Sequence, residues 1–469
     1  MPTANGDYAA FLEAKTQANT GCGFEPLWMP DFLFDFQKHL VEWAIRLGRG
    51  AIWADCGLGK GPMALVWAEN VRRKTNQPVL ILAPLAVSQQ FVREGEKFGI
   101  DVCNSQDGKY HGGIVVTNYE RLHYFNPEEF QGAVADECQA IRAFDGKRRK
   151  QVVRFFSKLP YRLLTTATPA PNDYIELGTE SECLGVMPQS DMLAYFFRET
   201  KDMRHTVFKE GDFWNQTKWT FKPHSEVPFW RWVVSWARGM RKPSDLGFDD
   251  TRFILPPLNY HTHVVDAPWI PPGELFPRPA ITLIEQKQER MRTIPERCER
   301  VKELVRHGRP AIVWCHYNEE SSRLAESIPD SVEVAGKHSL EEKESRLLDF
   351  MAGRSRVLVT KAKIAGLGLN LQLCGDMVLF PTFSFHEVYQ SIRRCWRFGR
   401  EGEVNVDIVT APGESKVIDG LEKKQAKAVH MFAELVRHMN NAIQMNSIDQ
   451  HKKELELPGW LDSRHSPYR

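Results

Sequence analysis

Two glycines and a lysine carry the clearest chemistry in this sequence. The apolar run Ala51-Ile-Trp-Ala54 leads into Gly57-Leu-Gly59-Lys60, and a helix-forming stretch follows. A strand, a glycine loop and a helix start in this order direct backbone N–H groups and an ammonium at a polyphosphate. Gly61 stands where such loops normally carry the Ser or Thr that binds Mg²⁺. The pattern predicts a nucleotide site that is either competent or disabled for hydrolysis; the alternative is a plain glycine-rich turn.

A pair of adjacent carboxylates follows further along the chain. Asp136 and Glu137 come directly after the apolar residues Ala133-Val-Ala135. Hydrolysis of a nucleoside triphosphate needs one carboxylate to hold Mg²⁺ and another group to activate the attacking water. We therefore predict that Asp136 is the metal ligand and that Glu137 is the catalytic base. Taken alone, an Asp-Glu pair is more often a solvated strand end.

The third chemical feature is a run of arginines between Val388 and Arg400. Gln390 precedes it, and helical spacing would place Arg393, Arg397 and Arg400 on one face, with Arg394 and Arg397 as an i, i+3 pair. The plain alternative is a solvated basic helix. Ile392, Trp396 and Phe398 are interleaved with the arginines, which indicates that the segment packs against another surface while presenting guanidiniums.

The elements that must position these residues follow an α/β rhythm. Apolar runs alternate with helical patterns over residues 28–180 and again from about 295, which predicts parallel sheets wrapped by helices. Residues 181–250 are rich in Trp, Phe and Lys and predict mostly helix, with Trp230, Trp232 and Trp236 in its core. We predict five segments: residues 1–27, 28–180, 181–255, 256–415, and a C-terminal helical extension over 416–469.

Composition sets further limits. The 469 residues are 42% hydrophobic and 26% charged, with a formal net charge of +1. Nucleic-acid binding would therefore depend on local patches. No apolar run approaches the ~20 residues of a membrane helix, and the N-terminus lacks the features of a signal peptide. Nine scattered cysteines without a CxxC pair favour reduced thiols, and we expect a cytoplasmic protein.

The order of these motifs resembles superfamily 2 helicases and translocases, closest to the Swi/Snf-type branch and to DEAD-like helicases of phages and prophages. The loop at Lys60, the Asp136-Glu137 pair, the Thr166-Ala-Thr168 segment and the arginine run are similar to motifs I, II, III and VI of that group. The resemblance covers residues 30–180 and 300–415. It implies two RecA-like lobes, use of ATP and Mg²⁺, and binding to nucleic acid, with DNA favoured over RNA.

The resemblance also implies roles for individual residues. Arg394 and Arg397 match arginine fingers, Gln390 matches the glutamine that opens their motif, and Gln37 matches an adenine-reading glutamine. Gly368 lies in a segment similar to motif V and is expected at the nucleotide. The residues expected to contact nucleic acid lie near strand ends: Pro84, Thr117, Asn118, Thr168, His316 and Lys361. The basic stretch 146–154 either follows phosphates or is a solvated helix.

These features together predict an ATP-dependent motor that moves on DNA, with duplex tracking favoured over strand separation. Because Gly61 lacks the metal-binding hydroxyl, an ATP-binding scaffold with impaired hydrolysis is the alternative. Another kind of P-loop enzyme, such as a small-molecule kinase, would not need Arg397 on a second α/β lobe. The segment 181–255 is a candidate site for protein partners.

Overall fold

The computed structural model describes residues 22–84, 87–141, 146–209, 212–268, 270, 276, 283–362, 364, 371–382 and 384–454. Two parallel sheets flanked by helices dominate it, which confirms the predicted α/β fold with two parallel-sheet lobes. Among the described helices, none is both long and apolar enough to serve as a transmembrane segment.

The first lobe is built on a seven-stranded sheet with the order β3-β4-β2-β5-β6-β1-β9. All its neighbouring strands pair in parallel. Its strands are β1 (Arg49–Ala54), β2 (Val79–Ala83), β3 (Val102–Asn104), β4 (Ile114–Asn118), β5 (Gly132–Asp136), β6 (Tyr161–Thr165) and β9 (Ala237–Met240). The helices of this part are α1 (Asp35–Leu47), α2 (Lys60–Thr75), α3 (Ser88–Phe98), α4 (Lys147–Phe156), α5 (Leu177–Leu184), α6 (Gln189–Phe196) and α7 (Glu226–Trp236).

The second lobe has a six-stranded parallel sheet with the order β10-β15-β14-β11-β13-β12. Its strands are β10 (Leu258–Val264), β11 (Ala311–Cys315), β12 (Ser331–Val334), β13 (Val357–Lys361), β14 (Asp376–Leu379) and β15 (Val404–Thr410). The remaining helices are α8 (Leu283–Arg292), α9 (Ile294–Leu304), α10 (Asn318–Ser327), α11 (Leu340–Met351), α12 (Phe385–Cys395) and α13 (Ser415–Glu454).

The sheet order of the first lobe brings the predicted chemistry to one edge. Strand β6 lies between β5 and β1, and Asp136 at the end of β5 is in register with Thr165 at the end of β6. The glycine loop follows β1 on the same carboxyl edge. These strands are buried on both faces, which explains their nearly continuous apolar sequences. Ligands of open parallel sheets bind at this edge.

The segment 181–255 is less helical than the sequence predicts. Strands β7 (Phe197–Lys209) and β8 (Asp212–Phe221) form an antiparallel hairpin, and β9 adds a seventh strand to the sheet of the first lobe. The first lobe therefore extends beyond residue 180. The sequence does not predict the hairpin, because its apolar and polar residues do not alternate regularly. It does not predict β9, because this strand is only 4 residues long.

The tryptophans of this segment belong to the core, as predicted. Trp230, Trp232 and Trp236 are at most 2% exposed, and Trp236 packs edge-on against Trp53 of β1 with ring centroids 5.5 Å apart. Helix α13 follows the second lobe but packs back on the first, where Phe432 and Leu435 join the same core. The C-terminal helix therefore connects the two lobes.

Candidate active site

The glycine loop approaches the second lobe closely. Gly57 has φ +89°, in the left-handed region, and a Cβ added there would lie only 3.1 Å from the ring of Phe398. Gly57 is therefore needed both for the turn and for the contact between lobes. Lys60 begins α2, and its Nζ donates a hydrogen bond to the carbonyl of Ala54 at 3.1 Å. Burial disfavours the ammonium, but the carboxylates around it raise the pKa of Lys60.

Gln37 forms a hydrogen bond to the backbone of the glycine loop. Its Nε2 donates to the carbonyl of Leu58 at 2.9 Å, and its Oε1 accepts the N–H of Phe34 at the start of α1. Gln37 is 5% exposed. Its contacts hold the glycine loop in place, and its reading of adenine stays a prediction.

The carboxylate pair is held in a fixed geometry at the end of β5. The hydroxyl of Thr165 donates to Oδ1 of Asp136 at 2.7 Å, and the Gln139 amide donates to Oε2 of Glu137 at 2.9 Å. Glu137 has φ +50°, a strained backbone conformation for a residue with a Cβ. Strain of this kind persists only where surrounding contacts enforce it. Here it accompanies the placement of both Asp136 and Glu137 at the end of β5.

The two carboxyls differ in proton affinity. Burial, and then the charge of Glu137, raises the pKa of Asp136. Burial acts on Glu137 too, but Lys60 and the Gln139 amide outweigh it and lower the pKa of Glu137. The lowered pKa favours the ionised form of Glu137, which a general base requires. The hydrogen bond from Thr165 and the charge of Lys60 partly offset the rise in the pKa of Asp136.

Within the described residues, no cluster of three or more His, Cys, Asp or Glu side chains could hold a metal alone. Mg²⁺ bound with nucleotides does not need such a cluster, because phosphates and water complete its shell around one or two carboxylates. Asp136 fits this role. Gly61 contributes no side-chain ligand.

A cavity of about 560 Å³ joins the two lobes around these groups. Many of the residues that the sequence predicts at the site line this cavity. They are Gly57, Gly59, Lys60, Gly61, Asp136, Glu137, Gln390, Arg394 and Arg397, together with Pro84, which was expected at nucleic acid. Gly368 lies outside the described residues.

Arg394 and Arg397 face this cavity from the second lobe. Burial lowers the pKa of both guanidiniums, and the charge of Glu137 partly offsets this effect at Arg394. Two adjacent, desolvated arginines favour an anionic ligand between the lobes. The predicted common face of Arg393, Arg397 and Arg400 is wrong, because α12 ends at Cys395. Arg400 instead donates to the backbone carbonyl of Gln372.

Arg393 bonds across the lobes to two neighbouring residues of the first lobe. Its NH2 lies 3.1 Å from Oδ2 of Asp55 and donates to the carbonyl of Cys56 at 2.6 Å. The hydroxyl of Tyr389 donates to the other oxygen of Asp55 at 2.5 Å. We call Asp55, Tyr389 and Arg393 the interlobe latch. No local sequence pattern marks Asp55 or Tyr389, although Asp55 lies just before the glycine loop and Tyr389 lies next to Gln390.

A second interlobe contact reaches the water-activating residue. His386 of α12 bonds the hydroxyl of Thr168 at 2.9 Å and lies 3.4 Å from the amide nitrogen of Gln139. The Gln139 amide also donates to Glu137, and its Oε1 accepts the hydroxyl of Thr166 at 2.6 Å. The hydrogen bonds thus run continuously from the second lobe to the predicted base. His386 was missed because nothing near it in sequence marks its partner.

Most residues expected at nucleic acid lie away from the nucleotide cavity. Thr117 is fully buried, so its hydroxyl has no access to a polymer in this structure, and Asn118 caps the turn at Arg121. His316 follows β11, and Lys361 ends the neighbouring β13, where its Nζ donates to Oδ1 of Asn318 at 2.6 Å. In the basic stretch, Arg148 and Arg149 pair with Glu120 and Glu182.

No family model matches the chain. Protein p41 of Acyrthosiphon pisum secondary endosymbiont phage 1 is 21% identical over 413 residues, which cover 76% of this chain and 86% of that protein. The chromatin-remodeling ATPase INO80 of Arabidopsis thaliana is 27% identical over 178 residues, or 31% of this chain and 12% of INO80.

The pre-mRNA-splicing ATP-dependent RNA helicase PRP28 of Candida glabrata is 26% identical over 116 residues, or 24% of this chain and 19% of PRP28. Among solved structures, the Sulfolobus solfataricus SWI2/SNF2 ATPase core in complex with dsDNA is 15% identical; the match covers 83% of this chain and 90% of that chain, with a TM-score of 0.41. The predicted resemblance to Swi/Snf-type superfamily 2 proteins and to phage proteins is confirmed. The chain spans only a small part of the two eukaryotic proteins.

Proposed function

We propose that this protein is an ATP-driven motor that moves on DNA, and most readily on duplex DNA. One observation carries the proposal: a single cavity places Lys60, Asp136 and Glu137 of one lobe opposite Arg394 and Arg397 of the other. A site divided in this way makes hydrolysis depend on the approach of the lobes, and that dependence can convert turnover into movement. The similarity to a chromatin-remodeling ATPase supports this class.

Each residue has a defined task in this mechanism. Lys60 and the loop N–H groups bind phosphate oxygens, and Glu137 orients and deprotonates water. Arg394 and Arg397 stabilise the charge that develops on the transferred phosphoryl group. Asp136 would hold Mg²⁺, which neutralises phosphate charge when bound. Gln139 and Thr165 keep the two carboxylates in place.

The proposal is tested by steady-state ATP hydrolysis with and without duplex DNA, at low salt where phosphate contacts are strongest. We expect stimulation by the duplex in the wild type and none in Lys60→Ala. Single-stranded DNA and duplex RNA serve as comparison polymers, and displacement of a triplex-forming strand reports movement on a duplex. Wild-type turnover no higher than that of Lys60→Ala would refute the motor.

The absence of a hydroxyl at Gly61 favours one second candidate, an ATP-binding scaffold with impaired hydrolysis. It predicts tight nucleotide binding that still requires Lys60, without stimulated turnover. The same assay, paired with a nucleotide-binding titration, therefore separates the two functions.

A further inference from the structure

The space beside Gly61 is occupied by a side chain from another helix. A Cβ added to Gly61 would overlap Oε2 of Glu94 and lie 3.2 Å from its Cδ. Glu94 lies on α3, which follows β2, the next strand along the chain. A carboxylate therefore stands where the side chain of a Ser or Thr at position 61 would begin, and a residue larger than glycine would displace it.

The Glu94 side chain lies at the nucleotide cavity. Glu94 lines this cavity together with Gly61, Lys60 and Asp136. Its Oε1 accepts a hydrogen bond from the Gln90 amide at 2.7 Å. Its Oε2 is buried and has no hydrogen-bond partner in the part of the chain that the structure describes. A buried carboxylate oxygen without a partner is costly unless a ligand satisfies it.

The chemistry of this oxygen identifies its ligand. It faces a site for phosphates, which would repel a carboxylate unless a cation lay between them. Mg²⁺ prefers oxygen ligands and is usually bound by one or two carboxylates together with phosphates and water. Burial raises the pKa of Glu94, because it disfavours the charged form of the carboxyl group.

Given the proposed use of ATP, we infer that Glu94 supplies the Mg²⁺ contact, directly or through a bound water, that Gly61 does not provide. Asp136, at the end of β5, and Glu94, on α3, then hold the metal, and the glycine at position 61 leaves room for the glutamate. The metal site is therefore retained, with the Glu94 carboxylate in place of the hydroxyl that Gly61 lacks.

The test measures binding of a fluorescent, non-hydrolysable ATP analogue while Mg²⁺ is titrated, so it does not depend on turnover. In Glu94→Gln we expect the half-saturating Mg²⁺ concentration to rise ~10-fold or more, because even loss of an outer-shell partner weakens metal binding 10–100-fold. In EDTA the same variant should bind the analogue more tightly than the wild type, because the repulsive charge is gone. Glu96→Gln, exposed on the same helix, is the matched control.

A second variant separates ligand chemistry from packing. Gly61→Thr/Glu94→Ala places a hydroxyl in the space that the shortened side chain leaves, and it should lower the Mg²⁺ requirement again relative to Glu94→Ala. An unchanged requirement in Glu94→Gln, or a wild type that binds the analogue equally with Mg²⁺ and with EDTA, would overturn the inference. Absence of any nucleotide binding by the wild type would instead refute the proposed function.

Discussion

The two lobes hold their nucleotide-facing residues in different ways. In the first lobe the contacts are internal: Lys60 bonds the carbonyl of Ala54, and Asp136 accepts the hydroxyl of Thr165. In the second lobe they are external, since Arg393 bonds Cys56 and His386 bonds Thr168 of the first lobe. One half of the site is preformed by contacts within its own lobe. In the other half Arg393 and His386 also bond across the cavity, and Arg393 donates to the carbonyl of Trp396 within its own lobe.

This difference teaches how hydrolysis could be controlled. Separation of the lobes would leave the glycine loop and the carboxylates intact. The side chains of α12 would lose their hydrogen-bond partners in the first lobe. The nucleotide could then bind to the first lobe in any arrangement, while turnover would require the second. Substitutions in the two lobes should therefore have different signatures, and three of them test the comparison.

The largest effect is expected at the arginines that face the cavity. Arg397→Ala should reduce turnover ~10³-fold or more, the range for arginine fingers, because the transition-state charge loses a guanidinium. Affinity for the ATP analogue should change little, in contrast to Lys60→Ala, which removes binding. Single-turnover hydrolysis and analogue titration measure the two quantities.

Arg306→Ala, at an exposed position of the second lobe, provides the control for loss of an arginine. Equal losses of binding and turnover in Arg397→Ala would contradict the division of tasks between the lobes. Arg394→Ala should behave as Arg397→Ala does, because the same cavity receives both side chains.

A smaller effect is expected from the interlobe latch. Arg393 is 1% exposed, so its removal leaves Asp55 buried without its cation, a change that costs about 3–5 kcal/mol for buried pairs. We expect Arg393→Gln to favour separated lobes and to reduce turnover. Fluorescence transfer between labels on the two lobes reports the separation directly.

A double-mutant cycle isolates the contribution of the pair. Asp55→Asn/Arg393→Gln should be less impaired than the sum of the single variants, with a coupling of ~0.5–3 kcal/mol. Additive effects would mean that the 3.1 Å contact between Asp55 and Arg393 does not stabilise the closed arrangement.

The same comparison explains how far the sequence could predict the structure. The glycine loop and the Asp136-Glu137 pair are local patterns, and the strands that carry them are continuous apolar runs, so both the lobes and the core of the site were predictable. Arg393 and Cys56 are 337 residues apart, and Glu94 reaches Gly61 from a different helix. Contacts of this kind depend on the order of strands and on the approach of the lobes, which no local pattern contains.

Local patterns also misled where an element ends. Arg393, Arg397 and Arg400 keep a spacing close to that of a helix, yet α12 stops at Cys395 and the chain turns toward the cavity. The sequence does not predict β9 for a related reason. This strand has only 4 residues, and it pairs with β1 although the hairpin β7–β8 and helix α7 separate it from the rest of the first sheet.

The smallest of the three effects is expected at His386. Its bonds to Thr168 and Gln139 orient a network that ends at Glu137, a residue whose φ of +50° must be enforced by its neighbours. Loss of such a bond costs about 1 kcal/mol, so His386→Ala should lower kcat several-fold to ~10-fold while KM for ATP is kept. His261→Ala, exposed on β10, controls for loss of an imidazole. Because Gln139→Ala interrupts the same path, the double variant should be no slower than the slower single variant. If the two effects add, or if KM rises with kcat unchanged, His386 acts on lobe contact or binding alone, and the base is positioned by the first lobe without help from the second.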